Sequence, residues 1–300
     1  MNTYSIKKLD FMLQDFVRTT WVSDHAMNVW EKRIKVIINS LIDIACINAA
    51  KTKQCSLQII PPIKFFQLEA DLPEKDLHVD ILEIKGLSQA IHSFLPTQIF
   101  KGKPFRYLVA IGPKNIIFQL KTAWKNHDLE TINQLTFQPS CCKNFWSKQN
   151  LKTPLYDSTW PMALNTKNND IKSQNDEKEF LCEIQGHPYS NGLLRWLGIQ
   201  LAYHAPCSFD CEATNKKISE IIGSGRNSGY STEMDWLEEM LSWPVEWSAL
   251  HGIAEIKTPV VKFIATTDAT ANKYIVRYKG NAFPEEGATG TSFPYKLKKE

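Results

Sequence analysis

Four of the seven cysteines stand in two short motifs, Pro139-Ser140-Cys141-Cys142 and His204-Ala205-Pro206-Cys207-Ser208-Phe209-Asp210-Cys211. Each reads as the start of a helix, because proline sits naturally at or just outside a first turn and serine caps one. If the two helix starts meet, four sulfurs and an imidazole converge on one spot. The fold must then bring together stretches that are far apart along the chain. Thiols in such places face unpaired backbone N–H groups, which favour the thiolate that binds metal or attacks an electrophile.

Spacing refines the expectation. Cys207 and Cys211 are four apart, so on a helix they share one face and can hold one ion or cluster between them. Cys141 and Cys142 are adjacent and diverge by about 100° on a helix, so one of the pair is expected to point at a shared centre. Three thiolates plus His204 make a closed tetrahedral set suited to zinc, and also suit an iron ion or an iron–sulfur cluster with mixed ligands. Three sulfurs with an open position would be a catalytic arrangement instead. Cys46, Cys55 and Cys182 lie on helical or β-like runs and read as small core residues.

Composition narrows the class. The 35 basic and 32 acidic residues leave a net charge of only +3, far from the profile of a phosphate-backbone binder, so no nucleic-acid partner is indicated. A chain of 300 residues with 43% hydrophobic residues can bury a large core. No apolar run follows the first residues, and the most apolar stretch, 36–50, is broken by Asn39, Asp43 and Asn48; neither a signal peptide nor a membrane span is expected. An odd number of cysteines argues against a secreted disulfide framework and for a cytoplasmic location.

Periodicity suggests an α+β protein (mixed α/β), largely helical, with small sheets and a late β-hairpin. Apolar residues from 23 to 50 recur near a 3.6 period, with Ser23 or Asp24 able to cap one long amphipathic helix. Residues 56–60 and 106–111 read as strands, and 115–126 as a helix after the Gly112-Pro113 turn. Segment 165–179 is polar and reads as a mobile loop; 193–201 and 208–222 read as helices, and the glycine-rich 223–232 as a flexible connection. The runs 259–265 and 274–278 are expected to pair as the late hairpin. A soft boundary is placed at residue 130, between an N-terminal α/β part, 1–130, and a part carrying the cysteines, 131–300.

Other polar residues are candidates for acid–base chemistry. His187 precedes Pro188 and so has an extended backbone suited to a pocket edge, although a lone histidine is more often structural. Glu246 and His251 lie in a stretch dense in aromatic and ionisable residues and could move protons, with Trp243 and Trp247 excluding water. The plainer reading puts those two tryptophans on one apolar helix face. Segment 283–291, with paired carboxylates before a glycine turn, is a solvated loop or a lid. The glycines of 223–229 lack the Gly-Lys-Ser/Thr ending of a phosphate loop.

The two cysteine motifs together resemble a group of uncharacterised prokaryotic proteins that pair a P-x-C-C-x-x-F element with a downstream H-x-P-C-x-x-x-C element. The resemblance spans about residues 105–215, and this chain has Phe137-Gln138 where such proteins tend to have a glycine and an aromatic residue. It implies a shared cysteine site and no particular reaction. The expectation is therefore a cytoplasmic metalloprotein, an enzyme of unstated reaction with a zinc, iron or iron–sulfur site on Cys141, Cys142, His204, Cys207 and Cys211, and with a small-molecule substrate or protein partner. Two alternatives stand beside it, an adaptor with a structural zinc site and a metal-free cysteine enzyme.

Overall fold

A computed structural model describes residues 16–87, 101–102, 104–148, 158–167, 169–174, 179–202, 204–258, 260–267 and 273–280. In chain order the first half holds β1 (Val17–Trp21), α1 (Asp24–Thr52), β2 (Ser56–Ile60), α2 (Pro62–Asp71), β3 (His78–Lys85), β4 (Arg106–Gly112), α3 (Lys114–Lys125) and α4 (Leu129–Leu135). The second half holds α5 (Ser140–Lys148), α6 (Thr159–Leu164), β5 (Asn169–Gln174), β6 (Glu179–Ile184), α7 (Glu212–Asn227), α8 (Ser231–Leu241), β7 (Val245–Ser248), β8 (Ile253–Lys257), β9 (Val261–Thr266) and β10 (Lys273–Tyr278). The mixed α+β class is as expected.

α1 organises the packing. The Ser23 side chain accepts from the Ala26 N–H to start it, and Lys53 turns left-handed (φ 55°) to end it. Its apolar residues serve two cores. Trp30, Ile37, Leu41 and Ile44 pack with α7, α8 and the larger sheet, while Ile42, Cys46 and Ala49 pack with α2 and the smaller one. A helix buried on two sides carries apolar residues at nearly every phase, which is why Ile37, Ile38, Leu41 and Ile42 crowd together in its sequence.

The smaller sheet has the antiparallel order β2-β4-β3. The larger one has seven strands in the order β1-β9-β8-β7-β10-β6-β5, all neighbours antiparallel except β10 and β6. A parallel pair needs a long crossover. Here the crossover from β6 to β10 carries two short 3₁₀ turns, Pro188–Ser190 and Gly192–Leu197, then Cys207, Cys211, α7 and α8.

Several expectations are corrected. The late hairpin does not form, because β10 inserts between β7 and β6 and so is separated from β9 by both β8 and β7. The seven-stranded sheet is not small. Residues 169–174 of the polar segment are a strand rather than a loop, and it lies at the sheet edge, where a polar strand is tolerated. Gly223 and Gly225 lie inside α7 rather than in a linker: a Cβ on Gly225 would stand 2.7 Å from Ile44 Cδ1 and 2.9 Å from Met234 Sδ, so its bareness lets α7 close on α1 and α8. Trp243 and Trp247 do not share a helix face; Trp247 is on β7 and Trp243 precedes it, and both are core residues. The segment 283–291 lies outside the described residues. No helix among the described residues is long and apolar enough to cross a membrane.

Candidate metal centre

The two helix starts meet. α4 ends in a reversed turn, with Phe137 left-handed (φ 55°) and the Gln138 N–H returning to the Asn133 carbonyl at 3.0 Å. That turn aims the first turn of α5, bearing Cys141 and Cys142, at the start of α7, where Cys211 is the N-cap residue. Cys142 Sγ lies 3.6 Å from Cys211 Sγ, Cys141 Sγ 3.8 Å from Cys211 Sγ, and the two adjacent sulfurs are 3.9 Å apart. With Cys207, all four sulfurs fall within 4.8 Å of one another. Cys142 and Cys211 are buried, Cys207 is half-buried and Cys141 is exposed.

Three details differ from expectation. Both members of the adjacent pair face the centre, not one. Every Cα–Cβ bond tilts toward the helix N-terminus, so a centre placed beyond the helix end is reached by two successive residues despite their angular divergence. Cys207 and Cys211 do not share a helix face, since α7 begins at Glu212 and Cys207 lies in the preceding loop. His204 stands outside the four-sulfur set: its Nε2 is 2.9 Å from Thr214 Oγ1.

Neighbouring groups fix the cysteine loop and the helices beside it. Trp146 on α5 donates its indole N–H to the Ala205 and Pro206 carbonyls (2.8 and 3.2 Å). Residues after α6 hold the same loop, with Asn165 Nδ2 donating to Cys207 O (2.9 Å), the Lys167 N–H to Asp210 (2.9 Å) and the Phe209 N–H to Thr166 Oγ1 (3.0 Å). Lys217 on α7 donates to the Thr136 and Phe137 carbonyls at 2.9 Å each, tying α7 to the carbonyl end of α4. Burial lowers the Lys217 ammonium to about 8, against the opposing pull of Glu220 and Cys142, so it remains a cation at neutral pH.

The sulfurs divide their protons unequally. The Cys142 hydrogen bond, with the hydroxyl and backbone N–H of Thr214, holds Cys211 down at about 4. The same bond to Cys211, together with burial, raises Cys142, and burial pushes Cys207 up to about 12. One anion is thus welcome and further ones repel it, a balance that a bound cation reverses. Thr214 Oγ1 donates to Cys211 Sγ at 3.3 Å, so its one hydroxyl proton is committed and His204 Nε2–H must be the donor toward Thr214. His204 therefore reaches the sulfurs at one remove.

The proposed acid–base residues lie elsewhere. His187 Nδ1 accepts from the Tyr189 N–H (3.2 Å), Glu246 on β7 is paired with Arg277 (2.7 Å), and His251 Nδ1 is bonded to Ser248 Oγ (2.8 Å) in the β7–β8 turn. None of the three belongs to the sulfur cluster, nor to the walls of the cavity beside it. That cavity, with about 510 Å³ of empty space including its open mouth, has His204 in its wall. Sequence reasoning did not single out Thr214 or Lys217, although Thr214 stands three residues after the N-cap, where a side chain folds back onto a cap. No family model matches the chain, and neither does any curated protein or solved structure.

Proposed function

We propose that the chain is a metalloprotein whose Cys141, Cys142, Cys207 and Cys211 hold a single tetrahedral ion, zinc above others, as a closed structural centre. The observation that carries this is the set of sulfur separations, 3.6, 3.8 and 3.9 Å. With a metal–sulfur bond of about 2.3 Å, a tetrahedron has an edge of about 3.8 Å. An iron–sulfur cluster interposes several iron atoms and spreads its thiolates well beyond that edge. Four thiolates also leave no position open for water or substrate, so the centre braces the starts of α5 and α7 rather than performing chemistry. This favours the structural-zinc alternative over an enzyme acting at the metal. Free thiolates persist as ligands where thiols are kept reduced, in keeping with a cytoplasmic protein.

The test is elemental analysis of protein purified without added metal, with thiol titration of the folded state. One zinc per chain and four protected thiols are expected, both lost in the pair of variants Cys142→Ser and Cys211→Ser. Iron in place of zinc would overturn the choice of ion; a folded, metal-free protein with reactive thiols would overturn the centre itself.

A further inference from the structure

The four sulfurs of the centre are unequally sheltered. Cys142 is fully buried, Cys211 is 5% exposed and Cys207 is half-buried, whereas Cys141 is open to solvent. Cys46, Cys55 and Cys182 lie in the cores, so Cys141 is the thiol that a small oxidant meets first. Its sulfur is 3.8 Å from Cys211 Sγ and 3.9 Å from Cys142 Sγ. A disulfide brings two sulfurs to about 2.0 Å and needs Cα atoms about 4.4–6.8 Å apart. Adjacent residues have theirs only about 3.8 Å apart, so Cys142 is the wrong partner while α5 keeps its first turn. Cys211 is not bound by that restriction: it lies 70 residues away in sequence, at the N-cap of α7, with an extended backbone outside the helix. Contacts that do not involve the sulfurs hold the two helix starts together, Trp146 to the cysteine loop and Lys217 to the end of α4.

We infer that the centre is a peroxide-sensitive switch, in which Cys141 and Cys211 join in a disulfide and the ion is let go. The inference rests on the reading that the four thiolates hold one zinc. The Cys141 thiolate attacks an oxygen of hydrogen peroxide, the O–O bond breaks, and the departing hydroxide takes up a proton, leaving a sulfenic acid on Cys141. The Cys211 thiolate then attacks the Cys141 sulfur; the S–S bond forms, the S–O bond breaks, and the second hydroxide leaves as water on taking up a proton. The two thiolates lose two electrons, and one peroxide with two protons becomes two waters. Cys142 and Cys207 remain, too few for a tetrahedral site. The new bond still joins α5 to α7, so the brace survives in covalent form, and a dithiol reductant reverses the step by exchange.

The test takes the full chain, its zinc counted beforehand, and adds hydrogen peroxide in the presence of a chromophoric zinc chelator, then maps disulfides by peptide mass after alkylation of the remaining thiols. One zinc released per disulfide is expected, with a Cys141–Cys211 link, alkylated Cys142 and Cys207, and zinc binding restored by dithiothreitol. Cys141→His puts an imidazole, itself a zinc ligand, in place of the exposed thiol. That variant should hold zinc and release it to peroxide at least about tenfold more slowly. The mapping on the unmodified protein needs no variant to fold. The zinc count before peroxide tests the metal reading by itself. Zinc that is present and stays bound under peroxide, release without a disulfide, or a bond from Cys141 to Cys142 or Cys207 would each overturn the switch and leave the metal reading standing.

Discussion

Replacing Cys142 with serine separates the two things that residue does. It is fully buried, and its sulfur is 3.6 Å from Cys211 Sγ and 3.7 Å from Thr214 Oγ1. A hydroxyl there has a shorter bond to Cβ and is a far weaker ligand than a thiolate, so the tetrahedral set is broken. Burying a hydroxyl in place of the thiol costs about 1–3 kcal/mol whether or not metal is present. The loss of metal costs more: an ion that binds the native state alone, held at a thousandfold excess over its Kd, stabilises it by about 4 kcal/mol. Cys142→Ser should therefore cost about 5–7 kcal/mol in buffered zinc but only about 1–3 kcal/mol for protein refolded in a strong chelator. Urea unfolding followed by tryptophan emission reads both values, since the chain has nine tryptophans. The parent protein should lose about 4 kcal/mol on chelation and the variant almost nothing. A variant equally destabilised with and without chelator would refute the single-ion centre.

Other outcomes follow from the groups around the sulfurs. Thr214→Val removes the hydroxyl between His204 and Cys211 and should weaken zinc about 10–100-fold in competition with a chromophoric chelator. Lys217→Met strips the partner from the Thr136 and Phe137 carbonyls and should cost about 1–3 kcal/mol in urea unfolding, toward the lower end because Phe137 is half exposed. Acidification should release the ion, since its thiolate ligands carry fewer protons when bound than when free: metal-derived stability is fully present at neutral pH and lost as pH falls, which chelator competition across pH measures. Gly225→Ala should overpack α7 against Ile44 and Met234 by about 1–3 kcal/mol in thermal unfolding, and Met234→Ala in the same chain should recover part of that loss.

What local physics decides was legible in the chain. The α1 helix follows from Ser23 and a 3.6 period, β2 and β4 from β-branched runs, and α3 from the Gly112-Pro113 break; all are choices made within a few residues. Strand partnership is different, because β9 and β10 are close in sequence and apolar, which reads as a hairpin. The observed order is a matter of tertiary pairing, and β10 fills a place between β7 and β6 that no local pattern marks. β5 was hidden for the opposite reason: at an edge, its polar composition is compatible with a strand and gives no period to detect. Gly225 misled because glycine lowers helix propensity by about 1 kcal/mol, and only the close approach of Ile44 and Met234 makes its missing side chain an advantage.

The cysteine centre divides along the same line, between what a motif encodes and what assembly decides. Pro139-Ser140 and Pro206 announce turns, so the presence of thiols at chain reversals was readable; that Cys141 and Cys211, 70 residues apart, would stand 3.8 Å from one another was a matter of tertiary contact. Lys217 and Trp146 supply that contact, one tying α7 to the end of α4 and the other tying α5 to the cysteine loop. The exclusion of His204 has the same origin. Its place three residues before Cys207 suggests a ligand, but Thr214 projects from the first turn of α7 between the imidazole and the sulfurs and takes its N–H. An imidazole held this way cannot also give a lone pair from Nε2 to an ion, because that nitrogen carries the proton it donates. The residue that spacing marks as a fourth ligand is thereby turned into a link between the sulfurs and the cavity wall, and the fourth sulfur of the cluster comes from the adjacent pair, Cys141 and Cys142, whose angular divergence on a helix had pointed one of them away.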